Sequence, residues 1–304
     1  MMRIERVLQY PRLMLALTGL TPEEFLALLP AFETLLQSRK KDAYYRNPKR
    51  ERKPGGGRKG FLKSPRDKLF FILFYYKCYP TYDVVSFLWD CNRANAFRRQ
   101  RAQTKLLEAT LKRKLVLPKR QLRNVEEFFE AFPEAKEVFL DGTERPIQRP
   151  QNTERQKANY SGKKKRHTRK NLIMSDRKKR IGFLSKTVEG KQHDFSILKG
   201  LGLPECIPKQ VKQRVDLGFQ GYQTQYPEHS ISMPARKPRT RELSRTVQEQ
   251  NARKSRIRVL VEHAIGGVKR FRITTDVFRN RIKDFDDLAM LIASGLWNYH
   301  LTFR

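Results

Sequence analysis

Residues 137–150 read EVFLDGTERPIQRP, and the apolar pattern of the chain changes here. Upstream, apolar residues recur at helical spacing. Val138, Phe139 and Leu140 instead form a short continuous run, as a buried strand does. The run ends on Asp141, and Gly142 marks a turn. Taken alone, an Asp at the end of an apolar strand is as often a turn-former as a functional carboxylate.

The strand signal continues downstream. NLIMS (171–175) and RIGFLSKTV (180–188) flank a turn at Ser175-Asp176 and predict a hairpin. QHDFSILKGL (192–201) predicts a helix, with Asp194 read as its cap. KQVKQRVDLGFQGY (209–222) reads as a strand ending near Asp216, followed by a glycine-rich turn. SRIRVLVEHAIGGVKRFR (255–272) and DFDDLAMLIASGLWNYHLTF (284–303) read as helices, the second with an acidic first turn.

Upstream the pattern is helical. Thr21, Pro22, Glu23 and Glu24 start a helix over residues 21–37, which Pro30 is expected to kink or split. Residues 39–63 hold three glycines after a proline inside a basic run and read as a linker, equally a solvated tether or an arm along a DNA groove. Next, DKLFFILFYYKCY after Ser64-Pro65 is apolar nearly all round, as in a buried helix. TYDVVSFLWD and ANAFRRQRAQTKLLEATLKRK follow, joined by the short break CNR. Arg98, Arg99, Arg101 and Lys105 stud the last of these helices, which suits a helix-turn-helix whose final helix enters the major groove. A three-helix bundle with a charged outer face would show the same pattern. NVEEFFEAFP (124–133) predicts a short amphipathic helix.

The fold class expected is therefore α/β, with an all-α helix-turn-helix region ahead of a mixed sheet. The expected boundaries are a helical segment over 1–38, a basic linker over 39–63, a helix-turn-helix domain over 64–123 and a mixed-sheet domain over 124–304.

Charge narrows the partners. Lys and Arg total 65 against 31 acidic residues, a net charge of +34 in 304 residues. A surface so positive repels itself unless it works against a polyanion. Nucleic acid is the first candidate and an anionic membrane a distant second, with no basic amphipathic helix to insert and no long apolar run to span. Twelve Lys or Arg lie between Arg155 and Arg180, including Lys163, Lys164, Lys165 and Arg166. Nine lie between Ser232 and Arg258. The second run is expected to include a loop that orders on DNA. Such contacts position DNA without reading its sequence. The three cysteines, Cys78, Cys91 and Cys206, lack zinc-knuckle spacing and read as reduced thiols of a cytoplasmic protein.

On the helix around 255–272, Ile257, Leu260, Val261, Ala264, Ile265 and Val268 form one apolar stripe. Glu262 lies on its flank, with Arg258 and Gly266 one turn to either side and Lys269 two turns on. Read alone, Arg258 and Glu262 are a surface pair worth a few tenths of a kcal/mol.

Read together, the motifs DGTERPIQRP, His193-Asp194, VDLGFQGY and VEHAIGGVKRFR resemble the DDE transposases of bacterial insertion sequences. The likeness is to insertion-sequence family five and its Harbinger-like relatives, and it covers about residues 21 to 300. The helix-turn-helix stretch belongs to it, although Asp90-Cys91-Asn92 stands where that group usually has a glycine. The resemblance implies an RNase H-like catalytic domain in which Asp141, Asp216 and Glu262 bind two Mg²⁺ or Mn²⁺ ions. Carboxylates suit such hard cations, and paired ions stabilise both the attacking and the leaving oxygen of a phosphodiester.

It also implies cleavage at element ends and strand transfer into target DNA. Double-stranded DNA, both terminal inverted repeats and target, would be the partner of a homo-oligomer that needs no nucleotide cofactor. Arg258 and Lys269 would contact phosphate, and His193 would partner a carboxylate or touch DNA. The rival readings are an RNase H-like nuclease that cuts without transposing and a non-catalytic DNA-binding protein descended from a transposase.

Overall fold

The computed structural model describes residues 4–46, 60–238, 240 and 242–304. They form two compact units. The first comprises Met1–Leu117 with Arg270–Ile273 and Tyr299–Arg304; the second comprises Pro118–Lys269 with Thr274–Asn298.

The first unit is helical: α1 (Ile4–Gln9), α2 (Pro11–Thr18), α3 (Pro22–Tyr45), α4 (Pro65–Cys78), α5 (Tyr82–Trp89) and α6 (Arg93–Arg113). A capping box starts α3: Glu24 N donates to Thr21 Oγ1 at 3.2 Å, and Thr21 N donates to Glu24 Oε2 at 3.0 Å. Pro30 does not split the helix, and α3 runs on to Tyr45, through residues expected to open the linker. The reason is local: SRKKDAYY contains no glycine or proline to stop a helix. The linker's core, residues 47–59, lies outside the described residues.

Helix α4 also opens with a capping box, from Ser64 and Asp67. It buries eight successive residues, Leu69 to Tyr76, as its all-round apolar sequence requires. Trp89 of α5 packs edge-on against Phe71 and Phe74, with ring centroids 5.2 and 5.0 Å away. The turn between α5 and α6 needs no glycine, because Asp90 itself adopts the left-handed conformation at φ 49°. Asp tolerates that region better than most residues. Asn92 then caps α6, accepting from Ala94 N at 2.8 Å.

The second unit holds α7 (Val125–Ala131), β1 (Glu137–Pro146), α8 (Thr153–Asn159), β2 (Tyr160–Ser161), β3 (Arg166–Ser175), β4 (Ile181–Leu184), β5 (Val188–Glu189), α9 (Asp194–Gly200) and α10 (Leu203–Cys206). After these come β6 (Lys212–Arg214), α11 (Tyr222–Gln225), β7 (Ile231–Ser232), α12 (Arg245–Lys269) and most of α13 (Phe285–Leu301). The sheet is mixed, in the order β2-β3-β1-β6-β7, with β4 and β5 also on β3. Strand β1 is antiparallel to β3 and parallel to β6, and β6 is parallel to β7. An antiparallel start followed by parallel strands is the arrangement expected of the RNase H-like class.

The β1–β3 pairing continues from Phe139↔Ser175 to Pro146↔Thr168, so Asp141 lies within the strand rather than at its end. The other side of β1 differs. Its pairing with β6 stops at Phe139↔Arg214, which leaves that edge without a strand partner from Leu140 until Phe278 N donates to Pro146 O at 2.9 Å. Val138, Leu140, Leu172 and Met174 share one face of the sheet and build the core with Phe128, Phe195, Leu198 and Leu203.

A polar cluster is buried beside this core. Arg145, 1% exposed, donates to Asn171 Oδ1 at 2.6 Å and Thr187 Oγ1 at 3.1 Å and lies 3.7 Å from Asp286. Asp287 joins Thr187 to Arg120. Burial lowers the Arg145 pKa to about 10, against the opposing pull of Asp286 and Asp287.

Candidate active site

Three carboxylates meet at the open edge of β1. Asp141 comes from β1, Asp216 from two residues past β6, and Asp194 from the first turn of α9. One oxygen of each lies within 4.8 Å of the others. Asp216 is fixed locally, its Oδ1 accepting from Gly218 N at 2.8 Å.

Two glycines make this meeting possible. A Cβ on Gly142 would fall 2.4 Å from Asp194 Oδ1; one on Gly218 would fall 2.6 Å from Asp194 Oδ2 and 2.8 Å from Asp216 Oδ1. Any side chain at either position would collide with the carboxylates. Both glycines are needed for space, since neither has a positive φ.

Asp194 is therefore not the cap of α9, as the sequence predicted. The cap position falls to His193, whose side chain makes no capping bond. Asp194 turns instead toward Lys170, whose Nζ lies 3.0 Å from Asp194 Oδ1 and 3.6 Å from Glu144 Oε1 and donates to Gln192 O at 2.7 Å. Lys170 is absent from the residues singled out by sequence. Its signal is a lysine preceding the apolar run NLIM inside a predicted strand, opposite Glu144 in the register.

Glu262 stands apart from this half-buried trio. It lies on α12 with its side chain 58% exposed. Arg258 Nη2 is 3.7 Å from Glu262 Oε1 and 3.7 Å from Asp141 Oδ2. The two carboxylate oxygens are thus no further apart than twice that distance. Val261, Ala264, Ile265 and Val268 are buried as the stripe predicts. Gly266 faces open space, and it is Gly267 that permits close packing, against the ring of Trp297.

The electrostatics follow from the crowding. Burial, then Asp216, pushes the Asp141 pKa up to about 6; Arg258 opposes the rise and Asp194 adds to it. Burial also raises Asp194, against the pull of Lys170. Burial lowers the pKa of Lys269, helped by Lys164. Lys163, Lys164 and Lys165 form an exposed turn leading into β3, whose first residue, Arg166, is exposed as well. Within the second basic run, Lys254 and Asn251 of α12 tie down the backbone at Met233 and Ala235. Arg239 and Arg241 of that run lie outside the described residues.

An all-oxygen set of three converging carboxylates matches the ligand preference of Mg²⁺ and Mn²⁺. Residues 140–298, which contain all four acidic side chains, match the family described as DDE superfamily endonuclease. The chain belongs to the DDE superfamily. Members of that superfamily use divalent metals, and family membership points to nuclease activity. Residues 60–113 match the helix-turn-helix of DDE superfamily endonuclease, which covers α4, α5 and α6 and points to DNA binding. Arg98, Arg99, Arg101 and Lys105 are all exposed on α6.

This DDE superfamily chain is also 28% identical over 264 residues to a protein of Microchaete diplosiphon named "Probable transposase for insertion sequence element IS702". The alignment covers 86% of this chain and 89% of the relative. No solved structure matches the chain. Among the described residues, no single helix is long and apolar enough to cross a membrane.

Proposed function

We propose that the chain is a DNA transposase that binds the terminal inverted repeats of a mobile element, cuts at them and joins the freed ends to target DNA. The observation that carries this reading is the convergence of Asp141 and Asp216, with Glu262 tied to Asp141 through Arg258, inside a DDE endonuclease domain preceded by a helix-turn-helix.

In this reading Asp141, Asp216 and Glu262 hold two Mg²⁺ or Mn²⁺ ions. Bound divalent ions supply Lewis-acid stabilisation of the attacking and leaving oxygens of a phosphodiester. The protein's part is positioning. Strand β1, the Asp216 turn and α12 fix the carboxylates before substrate arrives. Arg258 sets the distance between Asp141 and Glu262. The 163–166 turn and Lys269 offer cations to the DNA backbone, and α6 presents Arg98, Arg99, Arg101 and Lys105 to the element end. Exchange of one phosphodiester for another needs no nucleotide cofactor. Concerted joining of two ends calls for a DNA-bound multimer.

The test is a strand-transfer assay with Mg²⁺, using DNA that carries the inverted repeats flanking the gene. Joined products are expected from the wild type. Asp141→Asn is expected to bind ends normally and to cut nothing. Cutting without joining would make the chain a nuclease alone, and divalent-independent binding without cutting would leave only a DNA-binding protein. Normal cleavage by Asp141→Asn would remove the assignment.

A further inference from the structure

We propose that Asp194 is a fourth metal-binding carboxylate of this site, and that Lys170 positions it. The proposal rests on the reading that Asp141 and Asp216 bind a divalent cation, and adds a residue to that set.

The geometry favours Asp194 over Glu262 as the companion of Asp141 and Asp216. One oxygen of Asp194 lies within 4.8 Å of Asp141 and Asp216. Glu262 is mostly exposed and reaches the group only through a guanidinium. Asp194 also has no competing local duty, for its carboxylate is not spent on capping α9. The two glycines that follow Asp141 and Asp216 are both emptied for it: its Oδ1 fills the space over Gly142 and its Oδ2 the space over Gly218. One helix terminus thus reaches between two separate chain segments, each of which carries a ligand.

Lys170 accounts for the orientation. The residue is 8% exposed, and its ammonium is anchored at 2.7 Å on Gln192 O, two residues before Asp194. It meets Oδ1 at 3.0 Å, and Oδ2, the oxygen beside Asp216, is left for a cation. Asp141, Asp194, Asp216 and Glu144 crowd together, and Lys170 and Arg258 offset part of their charge. Metal-ligating carboxylates are commonly held by such outer partners.

The experiment is calorimetric titration of the full-length protein with Mn²⁺ alone, without DNA, and circular dichroism checks that each variant is folded. Asp141→Asn is expected to abolish binding, and Asp194→Asn to weaken it at least about tenfold. Lys170→Met is expected to weaken it too, but to cost nothing further in the Asp194→Asn background, because it acts through that carboxylate. A lysine that served only the fold would show its full effect in both backgrounds. Gly218→Ala, whose new methyl meets both Asp194 and Asp216, provides a second route should Asp194→Asn not fold, and the same loss is expected. Wild-type Mn²⁺ affinity in Asp194→Asn, or in Gly218→Ala where that is the folded variant, would overturn the role of Asp194 and leave the Asp141–Asp216 reading intact. Mn²⁺ binding that ignores Asp141→Asn would overturn both.

Discussion

Arg258 Nη2 stands 3.7 Å from Asp141 Oδ2, so a side chain of helix α12 is tied to the central strand of the sheet at the candidate active site. The same nitrogen is 3.7 Å from Glu262 Oε1. In the proposed reading Arg258 is a spacer between two acids; its place in the sequence suggests a phosphate contact. Replacing it with Met keeps the stem and removes the charge. Cleavage by Arg258→Met is expected to fall about 10–100-fold, the usual cost of losing an outer partner of a metal ligand, with end binding unchanged in a gel-shift assay. Equal losses of binding and cleavage would return Arg258 to the DNA-contact role.

The raised Asp141 pKa gives a pH signature in protein without added metal. The folded group titrates at about 6, above its ordinary 3.8. Between those values the native state holds a proton that the unfolded state has lost. Stability from this group is therefore highest below pH 4, falls as pH rises to about 6, and is flat above. The penalty at neutral pH is on the order of 3 kcal/mol. Asp141→Asn removes it, so in EDTA at pH 7 this inactive variant should melt at a higher temperature than the wild type. The gain should vanish below pH 4, and an equal gain at all pH values would refute the electrostatic explanation.

Arg145 is a structural residue inside the motif DGTERP. It is buried, donates to Asn171 and Thr187, and is balanced by Asp286. Arg145→Met leaves Asp286 without that partner and should cost about 3–5 kcal/mol in urea unfolding. Asp286→Asn in the same chain should recover part of the loss through their coupling. Strict additivity of the two changes would show that the pair does not interact.

Helix α6 should dominate the salt dependence of end binding. Each phosphate that the protein ceases to neutralise lowers the slope of log K against log salt by about 0.9. Changing Arg98, Arg99 and Arg101 together to Ala should lower the slope by up to about three and weaken binding, while Mn²⁺ affinity in the absence of DNA stays at the wild-type value. An unchanged slope would place the DNA elsewhere.

Much of this was legible in the sequence, because strong local signals have local causes. The hairpin of β3 and β4, the capped starts of α3 and α4 and the buried stripe of α12 all follow from spacing and caps. The grouping of Asp141 with Asp216 came from the resemblance to the DDE transposases. The place of Asp194 beside them did not, because an acid before FSILKGL has an obvious local use as a cap, and only the fold shows that His193 takes that position. Lys170 was hidden for a related reason: its partners Glu144 and Asp194 become neighbours only when β1 and α9 come together. Glycines are ambiguous in the same way. Gly266 and Gly267 are adjacent letters, and which of them faces a tryptophan is decided by packing.

The emptiness over Gly142 and Gly218 also bears on how such a protein decays. Alanine at either position suits the backbone and adds only a methyl group, yet it displaces an aspartate. In the transposase proposed above, one base change in the gene is therefore expected to yield a copy that occupies the ends of its element while cutting them poorly. Such copies would compete with intact ones for the same DNA, so a tight point of the carboxylate site is also a short mutational route from an enzyme to its own competitor.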